Sequence, residues 1–302
     1  MRAEWLLILL LTGAASPALA QTVPGSIDPR DVPDPRDVPD PRPKADPREV
    51  ASPVTDFTPL EGRALYESLW ASGETGRLKQ ALAADAWEIL PYIDGHCEDW
   101  LGLIEKGGEA SLEGRRRLEE LQSRGRQLAA WADEVLHDTR FTPYVDTFFG
   151  WTPEQRAQFR EGQALYKQGL ARAQAAQATE ALALALTPLN QALERARLLG
   201  DTWGQSMTLA LIARIQVDLG LRHEALATAA QARRVGREIR DLSSVWTALS
   251  IGFEQSVATD NVAGAREALR EQYLIAVDMQ DEATAYQVTL QLVQFEQVAE
   301  KL

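Results

Sequence analysis

Residues 201–241 read DTWGQSMTLALIARIQVDLGLRHEALATAAQARRVGREIRD. An aspartate stands at each end, where a side-chain oxygen can accept from the open N–H groups that begin a helix. Between them Leu209, Ile212, Ala213 and Ile215 recur at helical spacing, Gly220 interrupts, and Ala225, Leu226, Ala229 and Ala232 resume the pattern. The stretch predicts two antiparallel helices, about 202–219 and 223–236, turning at Gly220. Alanine at the crossings removes bulk while keeping helix propensity high, so the two axes can approach closely.

The pattern continues along the chain. Asp241 and Asp281 follow Asp201 at intervals of forty residues, each ahead of a new apolar helix. In the second unit Ala265 and Leu269 fit the second helix, but Asp260 replaces the turn glycine, Phe253 sits where a small residue belongs, and Gln272 replaces the second alanine. The last unit has one helix, from Glu282 to about Glu300, with Ala285, Val288, Leu292 and Phe295 inside, the terminal cap that such an array needs.

Ala213, Gly220, Ala225 and Ala232 together resemble the tetratricopeptide repeat, and Leu199-Gly200-Asp201 resembles the phrase that ends units in a longer-helix variant of that family. The resemblance covers about residues 155–302. It implies an all-α fold of antiparallel helical hairpins stacked as an α-solenoid, and a scaffold that holds a protein or peptide in the groove lined by the first helix of each unit. Carried over by position, the groove takes Met207, Ala210, Arg214, Val217 and Asp218 from the first unit. Thr247, Ser250, Glu254 and Val257 come from the second, and Gln287, Leu290 and Gln294 from the third. With one cation among them, these residues suit an internal peptide segment or a folded surface better than an acidic chain end.

Upstream, residues 57–150 form a second helical region rich in Ala, Leu, Glu, Gln and Arg. Thr58-Pro59, Thr152-Pro153 and, less fully, Thr142-Pro143 read as helix starts, with Glu61 and Gln155 placed to complete capping boxes. Helices are expected at about 59–71 and 77–90, the second stopped or kinked by Pro91, with a short piece at about 98–105 and a linker at Gly107-Gly108. The longest, about 111–137, carries Leu112, Leu118, Leu121, Leu128, Trp131, Val135 and Leu136 opposite Arg115, Arg116, Glu119, Glu120 and Arg126. It suits a brace within the chain or self-association with a second copy. Phe141-x-x-Tyr144-x-x-x-Phe148-Phe149-x-Trp151 reads as an aromatic loop that plugs a hinge or exposes a patch. Glu161-Gly162-x-Ala164-Leu165-Tyr166 echoes Glu61-Gly62-x-Ala64-Leu65-Tyr66, a faint sign of duplication.

The first 56 residues differ in kind. Arg2, the apolar run Leu6–Leu11 and the small-residue site Ala18-x-Ala20 read as a signal peptide over residues 1–20, so the chain is expected in the periplasm or secreted, with no stable membrane insertion after cleavage. Residues 21–56 hold nine prolines and repeat Asp28-Pro29-Arg30-Asp31-Val32-Pro33 as Asp34-Pro35-Arg36-Asp37-Val38-Pro39. Proline at that density forbids regular helix or central strand, so a disordered proline-rich linker is expected, serving as a spacer or a docking peptide. The net charge of −13 disfavours nucleic acid and anionic lipid.

Nothing in the chain assembles a convergent catalytic set. Asp94-Gly95-His96-Cys97-Glu98-Asp99 is the one local cluster of ligating side chains, yet no C-x-x-C pair or H-E-x-x-H helix completes a metal site. It reads as a helix–helix turn. Cys97, the single cysteine, is expected to be buried or inert, or to bridge two copies. Trp70, Trp87, Trp100 and Trp131 fall within apolar patterns and read as core. The expectation is a non-enzymatic scaffold with no cofactor and no metal. The alternative is an accessory protein or enzyme acting on an envelope polymer through a cleft where aromatics meet carboxylates, with Glu98 or Asp99 facing other ionisable groups.

Overall fold

A computed structural model describes residues 62–84, 87–279 and 281–299 of the chain. The leader, the proline-rich segment and the Thr58-Pro59 cap lie outside the described residues. Every regular element among the described residues is helical.

Residues 62–149 fold as one bundle. Helices α1 (Gly62–Ala71), α2 (Thr75–Ala84) and α3 (Ile89–Glu105) lead through a 3-10 turn (Gly108–Ala110) into α4 (Leu112–Val135) and α5 (Phe141–Phe149). The long amphipathic helix is α4, capped by Ser111, whose side chain accepts from the Gly114 N–H. Its stripe of Leu118, Leu121, Leu128, Ala129 and Ala132 is buried against the rest of the bundle, so it braces its own chain, while Leu112 lies exposed beyond the packed face. Gly107-Gly108 is a tight joint and not a loose linker. A Cβ on Gly114 would stand 2.0 Å from the Gly108 carbonyl oxygen.

Three expectations are corrected here. Pro91 neither stops nor kinks the second helix: α2 spans Thr75–Ala84, and α3 begins at Ile89, which places Pro91 in the first turn, where its missing N–H has no partner to lose. The Asp94–Asp99 cluster is therefore not a turn but the middle of a buried helix. The aromatic segment is also helical, as α5. Phe148 stacks 4.5 Å from Trp151 and 5.2 Å from Phe159, closing the bundle like a plug.

From Pro153 the chain proceeds as hairpins packed in sequence. Helices α6 (Pro153–Ala175) and α8 (Leu186–Leu199) pair, with the short α7 (Thr179–Ala183) between them. The pair α9 (Thr202–Asp218) and α10 (Arg222–Ile239) follows, then α11 (Leu242–Ala258) and α12 (Val262–Asp278), then α13 (Glu282–Ala299). Thr142-Pro143 does not start a helix, because α5 already begins at Phe141 and makes no side-chain cap, but the caps read further along are formed. Thr152 and Gln155 make a capping box, and Asp201, Asp241 and Asp281 accept from the N–H of Gly204, Ser244 and Thr284. Gly220 turns the first hairpin at φ 74°, and Ala213 and Ala225 are fully buried on either side of it. Leu226, expected inside, lies on the outer side of α10 and is half-exposed.

The second hairpin solves its departures from pattern in three ways. Asp260 itself adopts the left-handed conformation, at φ 55°, that a glycine would take. Phe253 fills a separate small core with Phe295, ring centres 6.0 Å apart. Gln272 is buried but donates to Ser250 Oγ at 2.9 Å. The Gly62/Gly162 echo has no structural counterpart: Gly62 opens α1 at φ 52°, and Gly162 lies within α6 against Arg195.

The bundle sits on the edge of the hairpins where one unit passes to the next. Leu199 and Ile239 belong to the core of the bundle, Trp151 Nε1 donates to the Leu199 carbonyl at 3.3 Å, and Trp87 meets Trp246 edge-on at 5.9 Å.

Candidate functional site

Two surfaces stand out, an open face across α9, α11 and α13 and a cavity between the bundle and the first hairpins. On the open face, Met207, Val217, Thr247, Ser250 and Glu254 are half-buried, and Arg214, Asp218, Gln287, Leu290 and Gln294 are exposed. Ala210 and Val257, carried over to the same face by position, are buried instead, because α9 and α11 pack directly on one another. Arg214 reaches across to Glu254 at 2.9 Å and lies 3.7 Å from Asp218. The one cation of the face is thus held between two carboxylates. Ser250 is engaged by Gln272, and Thr247 donates to the Ser243 carbonyl at 3.0 Å.

The cavity, about 310 Å³, exists because α6 and α9 barely touch, unlike α9 and α11, and the gap between them lies over α8. Phe159, Tyr166 and Leu170 of α6 form one wall, Ala192, Ala196 and Leu199 of α8 the next, and Trp203, Met207 and Thr208 of α9 the third. Met207 belongs to both surfaces, so the open face and the cavity adjoin. Asp94 of α3, Tyr144 of α5 and Asp201 at the head of α9 complete the lining.

These three polar groups are almost wholly enclosed. The Tyr144 hydroxyl donates to Asp94 Oδ1 at 2.5 Å, and Asp201 Oδ1 accepts from the Gly204 N–H at 2.9 Å. Among the described residues nothing hydrogen-bonds the second oxygen of either carboxyl. Burial raises Asp94 to about 8, against the pull of the Tyr144 bond, with Glu98 and Asp201 adding to the rise. Burial likewise raises Asp201 to about 6, opposed by the Gly204 N–H. At neutral pH Asp94 is therefore protonated and Asp201 ionised.

The remaining members of the cluster are spoken for. Both oxygens of Glu98 are held, one by Arg160 and one by Gln163, each at 2.5 Å, and Arg160 also grips Glu105 at 2.6 and 3.0 Å. Asp99 pairs with Arg63 at 2.9 Å on the surface. His96 is buried with neither ring nitrogen hydrogen-bonded, and desolvation, with the Arg124 charge, lowers it to about 4, so it is neutral. Cys97 is fully enclosed, and its thiol is pushed up by burial and by the neighbouring carboxyls. No group of three or more His, Cys, Asp or Glu among the described residues is placed to hold a metal ion. No helix among them is long and apolar enough to cross a membrane.

Sequence reasoning named Asp94 only as part of its local run, Tyr144 only within the aromatic segment and Tyr166 only within the echo, and it assigned no role to Phe159 or Trp203. The density of aromatics around 141–166 was the signal for Phe159, and Trp203 had none. A scan against protein-family models finds no match to the chain, and searches of curated proteins and of solved structures return none either.

Proposed function

We propose that this chain is an exported, non-enzymatic scaffold of tetratricopeptide-like repeats that holds an extended segment of a partner protein along α9, α11 and α13. In this reading residues 1–20 are removed on export, the proline-rich stretch serves as a tether, and the hairpins stack as a short solenoid. The observation that carries it is the way the three first helices divide their faces. Each fills a core on one side, while Met207, Arg214, Thr247, Glu254, Gln287 and Gln294 remain at least partly exposed, with Arg214 of α9 reaching Glu254 of α11.

Surface of that kind, polar with apolar steps and continuous over successive helices, suits main-chain and side-chain contacts to a peptide. Because Glu254 and Asp218 flank Arg214, the face prefers a neutral or basic segment over an acidic chain end. A photo-crosslinking amino acid at Thr247 or Gln287 is expected to trap the partner in cells, whereas one at Ala227 or Ala230 on the outer side of α10 is not. Equal adducts at both sets of positions would remove the groove assignment.

A further inference from the structure

The cavity beside the groove has acceptors that the fold leaves unused. One oxygen each of Asp94 and Asp201 is without a hydrogen-bond partner among the described residues, although each side chain is at least nine-tenths buried, with 9% and 8% exposure, and lines the cavity. Each carboxyl spends one oxygen on the fold and turns the other to the cavity, where it is free to accept from a ligand in place of water. The same space is also lined by aromatic side chains, Phe159, Tyr166 and Trp203. We propose that this cavity binds an organic ammonium ion, its charged head on Asp94 and Asp201 and its apolar body between Phe159, Tyr166 and Trp203.

Chemistry selects this class over others. A hard metal ion takes six or more oxygens, and the walls supply too few. An anion would face two carboxyls with Glu98 behind them. Of the two lining cations, Arg195 is already clasped by Glu161 at 2.9 and 3.1 Å, and Lys167 is an exposed residue at the rim. Aromatic faces attract ammonium through their quadrupole, more strongly when water is excluded. The volume lies at the small end of ligand pockets, enough for a one-ring amine or one basic side chain. The ammonium has two possible sources, a free small amine or a lysine of a peptide passing Met207, and the assignment stands whether or not the groove holds a peptide.

Titration adds a signature. The groups facing Asp94 are Tyr144, Glu98, Cys97, Asp201 and Arg160, and Glu98 also faces Asp201. Because the empty site holds a proton on Asp94 at neutral pH, ammonium binding should release it, and affinity should rise from pH 6 to pH 8.

The test is calorimetry on the full chain with three probes: 2-phenylethylamine, its neutral analogue 2-phenylethanol, and a capped peptide with one central lysine. The amine or the lysine peptide is expected to bind at least tenfold more tightly than the alcohol. Binding of the free amine identifies a small-molecule source, and binding of the peptide alone identifies a side chain. Asp94→Asn and Asp201→Asn, which keep the acceptor for Tyr144 and the helix cap, should each weaken that binding at least tenfold. Trp203→Leu, which leaves both carboxyls in place, should weaken it about fivefold. Alcohol binding equal to amine, no binding by either cation, or full affinity in the folded Asn variants overturns the proposal.

Discussion

Tyr144 and Asp94, fifty residues apart in sequence, are joined by a single hydrogen bond in which the phenol donates to the buried carboxyl, tying α5 to α3 at the wall of the cavity. The bond lies where the bundle meets the hairpins, near enough to the head of α9 for Asp94 to feel the charge of Asp201. It also decides how far Asp94 titrates from an ordinary carboxylate, since it is the strongest influence holding that group down.

Tyr144→Phe should therefore act twice. Loss of one buried hydrogen bond, with its acceptor left enclosed, is expected to destabilise the chain by about 1–2 kcal/mol. Asp94 should become harder still to ionise. Urea unfolding at pH 7 measures the first effect and its pH profile the second; an unchanged midpoint would mean that the bond holds nothing together.

Stability should fall as pH rises from 6.5 to 8. Asp94 is raised from 3.8 to about 8, so in this window the native state keeps a proton that the unfolded chain has lost. By linkage the slope is negative, roughly 1.4 kcal/mol per pH unit for one fully buried group. Asp201, raised to about 6, acts in the same direction but only below that pH. His96, lowered from 6.5 to about 4, acts oppositely, and its effect fades as pH rises through about 7. The interval above 7 is thus left mainly to Asp94. Denaturant midpoints for wild type should decline across it, and those for Asp94→Asn should stay flat; parallel declines in the two proteins would show that Asp94 is not the group responsible.

The features legible in advance were those that few neighbouring residues fix. Asp201, Asp241 and Asp281 cap helices because an N-cap needs only the residue three positions ahead, and Thr152 with Gln155 likewise completes its box locally. Gly220 was readable because a positive φ narrows the choice of residue, yet Asp260 shows that the rule has exceptions. Pro91 misled because proline is tolerated or forbidden according to its distance from the helix start, and nothing nearby marked Ile89 as that start. The cavity was illegible for a different reason. Asp94, Tyr144 and Asp201 come from three elements, and no spacing within any one of them announces the other two. The pairing of α6 with α8 was hidden by α7, although Gly169 marks the close approach: a Cβ there would stand 2.5 Å from Leu189 Cγ.

Cys97 should report on unfolding alone. Its side chain is fully enclosed, and burial next to Asp94 and Glu98 disfavours the thiolate, the form that reacts. A thiol reagent is expected to leave the native chain unmodified and to label it fully in denaturant, at a rate that tracks opening. Disulfide-linked dimers on a non-reducing gel of native protein would contradict the enclosed position.

Two glycines on successive hairpins should respond to alanine with opposite signs. Gly252 lies inside α11 with nothing within 4 Å of where a Cβ would stand. Gly252→Ala should raise stability by about 0.5–1 kcal/mol, by reducing the freedom of the unfolded chain and favouring helix. Gly204 is at the third position of α9, and a Cβ there would stand 2.1 Å from Asp201 Oδ2. Gly204→Ala forces that carboxylate to swing away from the N–H it caps, a loss of about 1–2 kcal/mol that the gain in propensity only partly offsets. Because Asp201 also lines the cavity, the same change should disturb the cavity while leaving the open face of α11 intact. Thermal unfolding of the two variants beside wild type gives both signs at once, and a stabilised Gly204→Ala would show that the cap tolerates the added methyl.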